Sequence, residues 1–204
     1  MQTIKPWWLL VAFLSGMAVA LGTGELILSL RDNRLELSAP KLHFLSGQPL
    51  ARLHNAAEVP FAIQVTLYSG NKTHVFRQTQ QRCVFSFDLW EEKFSVAKLT
   101  SARERTSHLS DRDAEQWCLN TTFDINGLST AEPLWAQVDV RLEDAPRNGR
   151  LLSGSVSESG VSLTNGLTSL VEIFSRPPQS GQTHWSLTYD RFTLADLRRT
   201  GRGS

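Results

Sequence analysis

Cysteine and net charge are both scarce in this sequence. The 204 residues include 2 cysteines, and 21 Lys plus Arg nearly balance 20 Asp plus Glu. Proteins that bind nucleic acid neutralise phosphates with clustered Lys and Arg. A near-neutral chain without a basic block therefore argues against nucleic acid as the main partner. Two cysteines without a matching histidine pattern also make a poor zinc site.

Enzyme motifs are absent as well. There is no G-x-S-x-G nucleophile elbow, and the Gly/Ser-rich stretch at 153–160 lacks the Lys of a phosphate-binding loop. The histidines are scattered, with no H-x-x-x-H pair: His43, His54, His74, His108 and His184. We therefore predict no catalytic, cofactor-binding or metal-binding residues and a protein that is not an enzyme, with an unrecognised hydrolase as the least favoured alternative.

The acidic set Asp111, Asp113 and Glu115 has the alternating spacing of oxygen ligands in calcium loops. It lacks the glycine and the distant glutamate of the EF-hand signature. Ser110 just before it is a good N-cap, and carboxylates are favourable at the positive end of a helix dipole. We assign all three carboxylates to the start of a helix.

Long hydrophobic runs are missing except near the N-terminus. After Lys5, residues 6–22 carry no charge, and Ala18 and Ala20 have the A-x-A spacing that a signal peptidase accepts. This predicts a signal peptide over 1–20 and an exported chain. A retained membrane anchor is the alternative, although the run is slightly short of the roughly 20 residues that a spanning helix needs. Membrane contact is expected only through this segment if it is not cleaved.

The cysteines are Cys83, in a strand-like stretch, and Cys118, on the apolar face of a predicted helix. In an oxidising compartment they could form a disulfide that closes a loop of roughly 35 residues, worth about 3–4 kcal/mol of stability. Two separate buried thiols are the alternative.

The stretch FDLWEEKFSV places Glu91 and Glu92 side by side, which raises the question of acid–base chemistry. The apolar alternation changes phase there, so we predict a four-residue loop beginning at Trp90, with Leu89 opposite Phe94. Adjacent carboxylates on a loop stay solvated, which does not separate their pKa values. Trp90 is left outside the core and is the candidate partner contact.

Apolar periodicity predicts the remaining elements. A two-residue loop at Asp32-Asn33 would pair Leu30 with Leu35 in a hairpin. Helices are predicted at about 49–57, after Ser110 and over 163–175, and half-buried strands begin near Phe61, Cys83, Ala136 and Trp185. The predicted fold class is α+β, a mainly antiparallel sheet with one face covered by about three helices. The predicted domains are the segment 1–20, a single α+β domain over 21–195, and a flexible basic tail over 196–204.

The phrases AAEVPFAIQVTLY, FSFDLWEEKFSV and PLWAQVDVRLED, in this order behind a signal segment, give the chain a resemblance to a bacterial family of exported domains of unknown function. It spans roughly residues 25–195. The resemblance implies an exported location and supports the fold, and it implies no activity, cofactor or site.

The leading hypothesis is a periplasmic or envelope-associated binding or accessory domain that is not an enzyme and works beside an envelope or membrane protein. The alternative is a carrier of an apolar small molecule or lipid, held between the sheet and helix 163–175. Four aromatic residues would line its cavity: Phe85, Phe87, Trp117 and Phe174.

Overall fold

The computed structural model describes residues 26–99, 104–143 and 182–200, together with 170, 171, 173–175 and 177. The predicted signal segment, with Ala18 and Ala20, lies outside the described residues. So does most of the predicted helix 163–175, although its described residues between 170 and 175 are helical.

The described chain contains nine strands and, besides that helical piece, three short helices. The strands are β1 (Ile27–Arg31), β2 (Arg34–Ser38), β3 (Val59–Ser69), β4 (His74–Asp88), β5 (Lys93–Lys98), β6 (Glu104–Leu109), β7 (Thr121–Asp124), β8 (Leu134–Leu142) and β9 (His184–Phe192). The helices are α1 (Gln48–His54), α2 (Asp111–Leu119) and α3 (Leu194–Thr200). Helix α3 covers the first residues of the predicted tail.

The strands form two antiparallel sheets, and the predicted fold class is therefore wrong. The small sheet has the order β1-β2-β7, and the large sheet has the order β6-β5-β4-β3-β8-β9. Of the described residues, 51% are strand and 20% are helix. Both sheets and α1 to α3 contribute to one apolar core. The prediction failed because alternating apolar residues show only that a strand buries one face. They do not show whether a helix or a second sheet covers that face.

The β1–β2 hairpin confirms the predicted two-residue loop. Leu30 lies opposite Leu35 and Leu28 opposite Leu37. Asp32 and Asn33 have φ values of 43° and 63°. Positive φ at both central residues is the geometry of a type I′ turn, whose twist matches that of the flanking strands.

Strand β3 lies between β4 and β8, and its alternating apolar residues are buried as predicted. An aromatic cluster stands on its core face, where Phe61 lies 4.8 Å from Phe44 and 5.3 Å from Phe85 between ring centroids. These edge-to-face contacts add to the burial of apolar area. The opposite face is partly covered as well, because Arg141 Nη1 donates to the carbonyl of Ile173 at 2.6 Å.

Two local predictions need correction. Helix α1 ends at His54 rather than near 57, because Ala56 adopts φ 58° and leaves the helical conformation. The polar stretch 73–82 has no apolar alternation, which favours an exposed strand end or a loop, but its residues 74–82 form more than half of β4 and pair with β3. Backbone hydrogen bonds to the buried strand β3 keep this stretch extended. Its polar side chains alone do not indicate a strand.

We expect the β1–β2 turn to tolerate glycine at position 32 but not a β-branched residue. Asp32→Val forces a branched side chain into left-handed backbone and should lower the free energy of unfolding by about 1–2 kcal/mol, measured by urea denaturation. Asp32→Gly is the matched control and should change it by less than about 0.5 kcal/mol, because glycine adopts positive φ without strain. Equal effects of the two variants would contradict the turn geometry.

Candidate functional site

The hairpin that joins β4 to β5 carries the residue predicted to contact a partner. Its register differs from the prediction: Phe87 lies opposite Phe94 and Asp88 opposite Lys93, so the loop covers 89–92. Leu89 consequently leaves the core and is 53% exposed. The phase slip located the loop to within one residue, but register depends on the partner strand as well as on the sequence of the loop.

Hydrogen bonds order this hairpin tip, which we define as residues 88–93. The carboxylate of Asp88 accepts the backbone N–H groups of Trp90 at 2.8 Å and Glu91 at 3.1 Å. These bonds lower the pKa of the Asp88 carboxyl below its ordinary value. Glu92 adopts φ 52°, and His108 Nε2 lies 3.0 Å from a Glu91 oxygen across the neighbouring strand. The loop therefore has a defined backbone conformation.

Trp90 is 96% exposed at this tip. Its indole is held away from the core by an ordered loop and is flanked by the half-exposed Leu89. Around them stand three carboxylates, Asp88, Glu91 and Glu92, with Lys93 as the nearest cation in sequence. The hairpin tip thus presents an apolar surface with an acidic rim. Glu91 and Glu92, the adjacent carboxylates considered for acid–base chemistry, are exposed to solvent, as the sequence predicted.

A second polar centre was missed by the sequence analysis. Glu115 is 2% exposed, and one of its oxygens accepts the backbone N–H groups of Phe44 and Leu45, each at 2.6 Å. The other oxygen lies 3.0 Å from His43 Nδ1. Asp111 and Asp113 do stand in the first turn of α2, with Ser110 as its N-cap. Glu115 lies on the buried face of the helix and holds the loop before α1.

Burial dominates the protonation of this carboxyl. Removal from water raises the pKa of Glu115 above its ordinary value near 4.5. The bonds from Leu45 and Phe44 and the ring of His43 offset part of this shift. The helical spacing of the sequence could have indicated that Glu115 is buried. It lies three residues before Cys118 and next to Ala114, so it shares the apolar face of α2 with them.

A histidine bonded through Nδ1 to a carboxylate also occurs in acid–base catalysis, where the carboxylate orients the ring. Here the side chain of His43 is 43% exposed and that of Glu115 is 3% exposed. Within the described ranges, the ring of His43 has no hydroxyl or thiol bonded to it. The contacts of Glu115 with His43, Phe44 and Leu45 fasten the loop before α1 to α2.

Cys83 and Cys118 are brought together by the packing of α2 on the large sheet. Both are fully buried, and burial together with the neighbouring Cys83 thiol raises the pKa of Cys118. Gln81, two residues before Cys83 on the same face of β4, donates from Nε2 to the carbonyl of Cys118. Both cysteines face inward, as the sequence predicted, and both are free thiols in this structure.

The four aromatic residues suggested as the lining of a carrier cavity do not converge. Phe85 is packed in the core cluster, and Phe87 lies 4.8 Å from Phe94 near the hairpin tip. Trp117 lies under Lys98 at 4.5 Å, whereas Phe174 lies under Arg141 at 4.9 Å on the outer side of the large sheet. Phe85, Phe87 and Trp117 thus belong to or pack against the core, whereas Phe174 lies apart from them beside Arg141.

The clefts on the described surface include one on each sheet. The first, about 420 Å³, lies on the outer side of the large sheet and is lined by Gln64, Gln78, Gln80, Val171, Phe174 and Ser175. The second, about 380 Å³, lies beside the small sheet and is lined by Ser29, Glu36, Leu37, Ser38, Asn120, Thr121 and Thr122. Neither contains a histidine.

Among the residues with described positions, no group of three or more His, Cys, Asp or Glu is arranged to hold a metal ion. None of the helices in these ranges is long and apolar enough to cross a membrane.

Comparisons with known proteins find no relatives. The chain matches no protein-family model, no curated protein and no solved structure. Function is therefore inferred from the chain's own residues.

Removing the buried carboxylate should destabilise the fold. Glu115→Ala leaves two buried backbone N–H groups without an acceptor and should lower the free energy of unfolding at pH 7 by about 3 kcal/mol. Glu115→Gln keeps an oxygen at that position and should cost about 1 kcal/mol or less. Urea denaturation measures both values. Similar losses for the two variants would mean that the oxygen does not hold the loop.

The raised pKa of Glu115 predicts a pH dependence of stability. Above about pH 4.5 the unfolded chain loses this proton before the folded protein does, so the folded state binds more protons and its stability falls as pH rises. The difference in unfolding free energy between wild type and Glu115→Gln should be largest below pH 4.5. It should decline through the interval just above that value and then become constant. A difference that grows with pH would show that the N–H donors outweigh burial.

Proposed function

We propose that this chain is an exported binding or accessory domain of the bacterial cell envelope, that it is not an enzyme, and that it contacts its partner through the hairpin tip. The charge-free N-terminal segment with its A-x-A site and the resemblance to exported bacterial domains support the location. The main evidence for a partner contact at the hairpin tip is the exposed indole of Trp90.

An indole is a large apolar side chain, and tryptophan is enriched among the residues that contribute most to binding at protein interfaces. An exposed tryptophan on a disordered tail would be weak evidence for a binding surface. Trp90 instead stands on a loop whose backbone is fixed by Asp88 and whose flank is tied to β6 by the pair of Glu91 with His108. Because the loop is already ordered, binding through Trp90 would cost little conformational entropy.

The acidic rim favours a protein partner over a lipid surface. Anionic membranes attract clustered Lys and Arg, and the three carboxylates around Trp90 would be repelled by them. A protein pocket with an apolar floor and basic groups at its edge complements both features of the tip. We therefore infer an envelope protein that offers such a pocket.

The proposal predicts that Trp90→Ala weakens the partner complex about 30-fold without unfolding the domain. This corresponds to a loss of about 2 kcal/mol, typical of a central interface tryptophan. Affinity capture from the envelope fraction identifies the partner, and titration of the purified pair gives the dissociation constants. The stability of the variant should stay within about 0.5 kcal/mol of wild type.

Val75→Ala is the matched control, because Val75 is 47% exposed and lies at the opposite end of β4. It should leave the affinity unchanged. Glu91→Gln combined with Glu92→Gln should weaken binding by a smaller factor and reduce its salt dependence. Unchanged affinity of Trp90→Ala would refute the tip as the contact. A blue shift of Trp90 fluorescence on anionic vesicles would instead favour a membrane.

A further inference from the structure

Cys83 and Cys118 bring two buried thiols together in the described core. They lie apart from the hairpin tip and have no part in the proposed contact through Trp90. Cys83 lies on β4 and Cys118 near the end of α2, and neither side chain is exposed to solvent. Both belong to the same core cluster, and the neighbouring Cys83 thiol contributes to the raised pKa of Cys118. The bond from Gln81 to the carbonyl of Cys118 independently places the end of α2 over this part of β4.

We propose that Cys83 and Cys118 are a site of covalent modification, at which the two thiols are oxidised to a disulfide that joins α2 to the large sheet. The oxidant is a disulfide compound such as oxidised glutathione or an exchange protein. The thiolate of one cysteine attacks the oxidant's disulfide and releases one thiol. The second thiolate then displaces the other thiol, so that two protons leave and two electrons pass to the oxidant.

The timing of the reaction follows from the burial of the pair. Desolvation raises the pKa of the Cys118 thiol well above its ordinary value, and the contact with Cys83 raises it further. Thiolates are the reacting species, so the folded, reduced pair is nearly inert. Oxidation therefore takes place before α2 closes on the sheet, during folding in an oxidising compartment or in a local opening of the helix.

The cross-link would join two segments that strand pairing leaves separate. Helix α2 is not part of either sheet, and Glu115 on the same helix holds the loop around Phe44. A covalent bond at Cys118 would keep the helix, and with it this loop, on the core. In the cell the disulfide rests on the proposed export, because cytosolic thiols are kept reduced.

Formation of the bond is tested with the purified full chain, which makes the test independent of export and of Trp90. The chain is unfolded, reduced and refolded in a mixture of reduced and oxidised glutathione. We expect a mass loss of about 2 Da, no thiol that reacts with a maleimide after denaturation, and a peptide that links Cys83 to Cys118. The oxidised protein should melt roughly 10 °C above the same protein after reduction.

Cys83→Ala combined with Cys118→Ala is the matched control and should melt at the same temperature in both buffers. The comparison of oxidised with reduced wild type remains decisive if this variant does not fold. Two free thiols in the refolded protein, or disulfides between molecules only, would overturn the proposal. A disulfide that forms in the purified chain but is absent from protein extracted from cells would support the site and count against export.

Discussion

The carboxylate of Glu115 joins parts of the fold that strand pairing leaves apart. It lies on α2, and its backbone acceptor bonds hold Phe44 and Leu45, which precede α1. Phe44 in turn packs against Phe61 and Phe85 on the two central strands of the large sheet. A buried carboxylate without donors would be costly, whereas here both oxygens have partners. The buried carboxyl of Glu115 therefore holds the backbone at Phe44, through which the loop before α1 enters the aromatic core.

Helix α2 is held to the large sheet by contacts of several kinds. The carbonyl of Cys118 accepts a bond from Gln81, the ring of Trp117 lies under Lys98, and Cys118 touches Cys83. Each partner comes from β4 or β5, which are the strands that end in the hairpin tip. The tip is thus built on a hairpin that α2 packs against, and the backbone at Trp90 is held by the hydrogen bonds of Asp88.

Most individual elements were predictable, and their assembly was not. The turn at Asp32-Asn33, the N-cap at Ser110 and the buried face of β3 all followed from residues close in sequence. The loop of the β4–β5 hairpin lies one residue earlier than predicted. The prediction placed Leu89 opposite Phe94, whereas Phe87 occupies that position. The sheet predicted to carry three helices is accompanied by a second sheet, because apolar alternation is the same whichever layer covers a strand.

The sequence by itself determined the local geometry: which residues turn, which face of a strand is apolar and where α2 begins. Sterics and hydrogen bonds within a few residues settle these features, so they can be derived without the rest of the chain. Only the tertiary structure decided that Glu115 meets His43 across 72 residues, that Gln81 reaches the carbonyl of Cys118, and that Leu89 leaves the core. Those outcomes depend on how α2 and the two sheets pack, and packing is set by the shapes of surfaces that are distant in sequence.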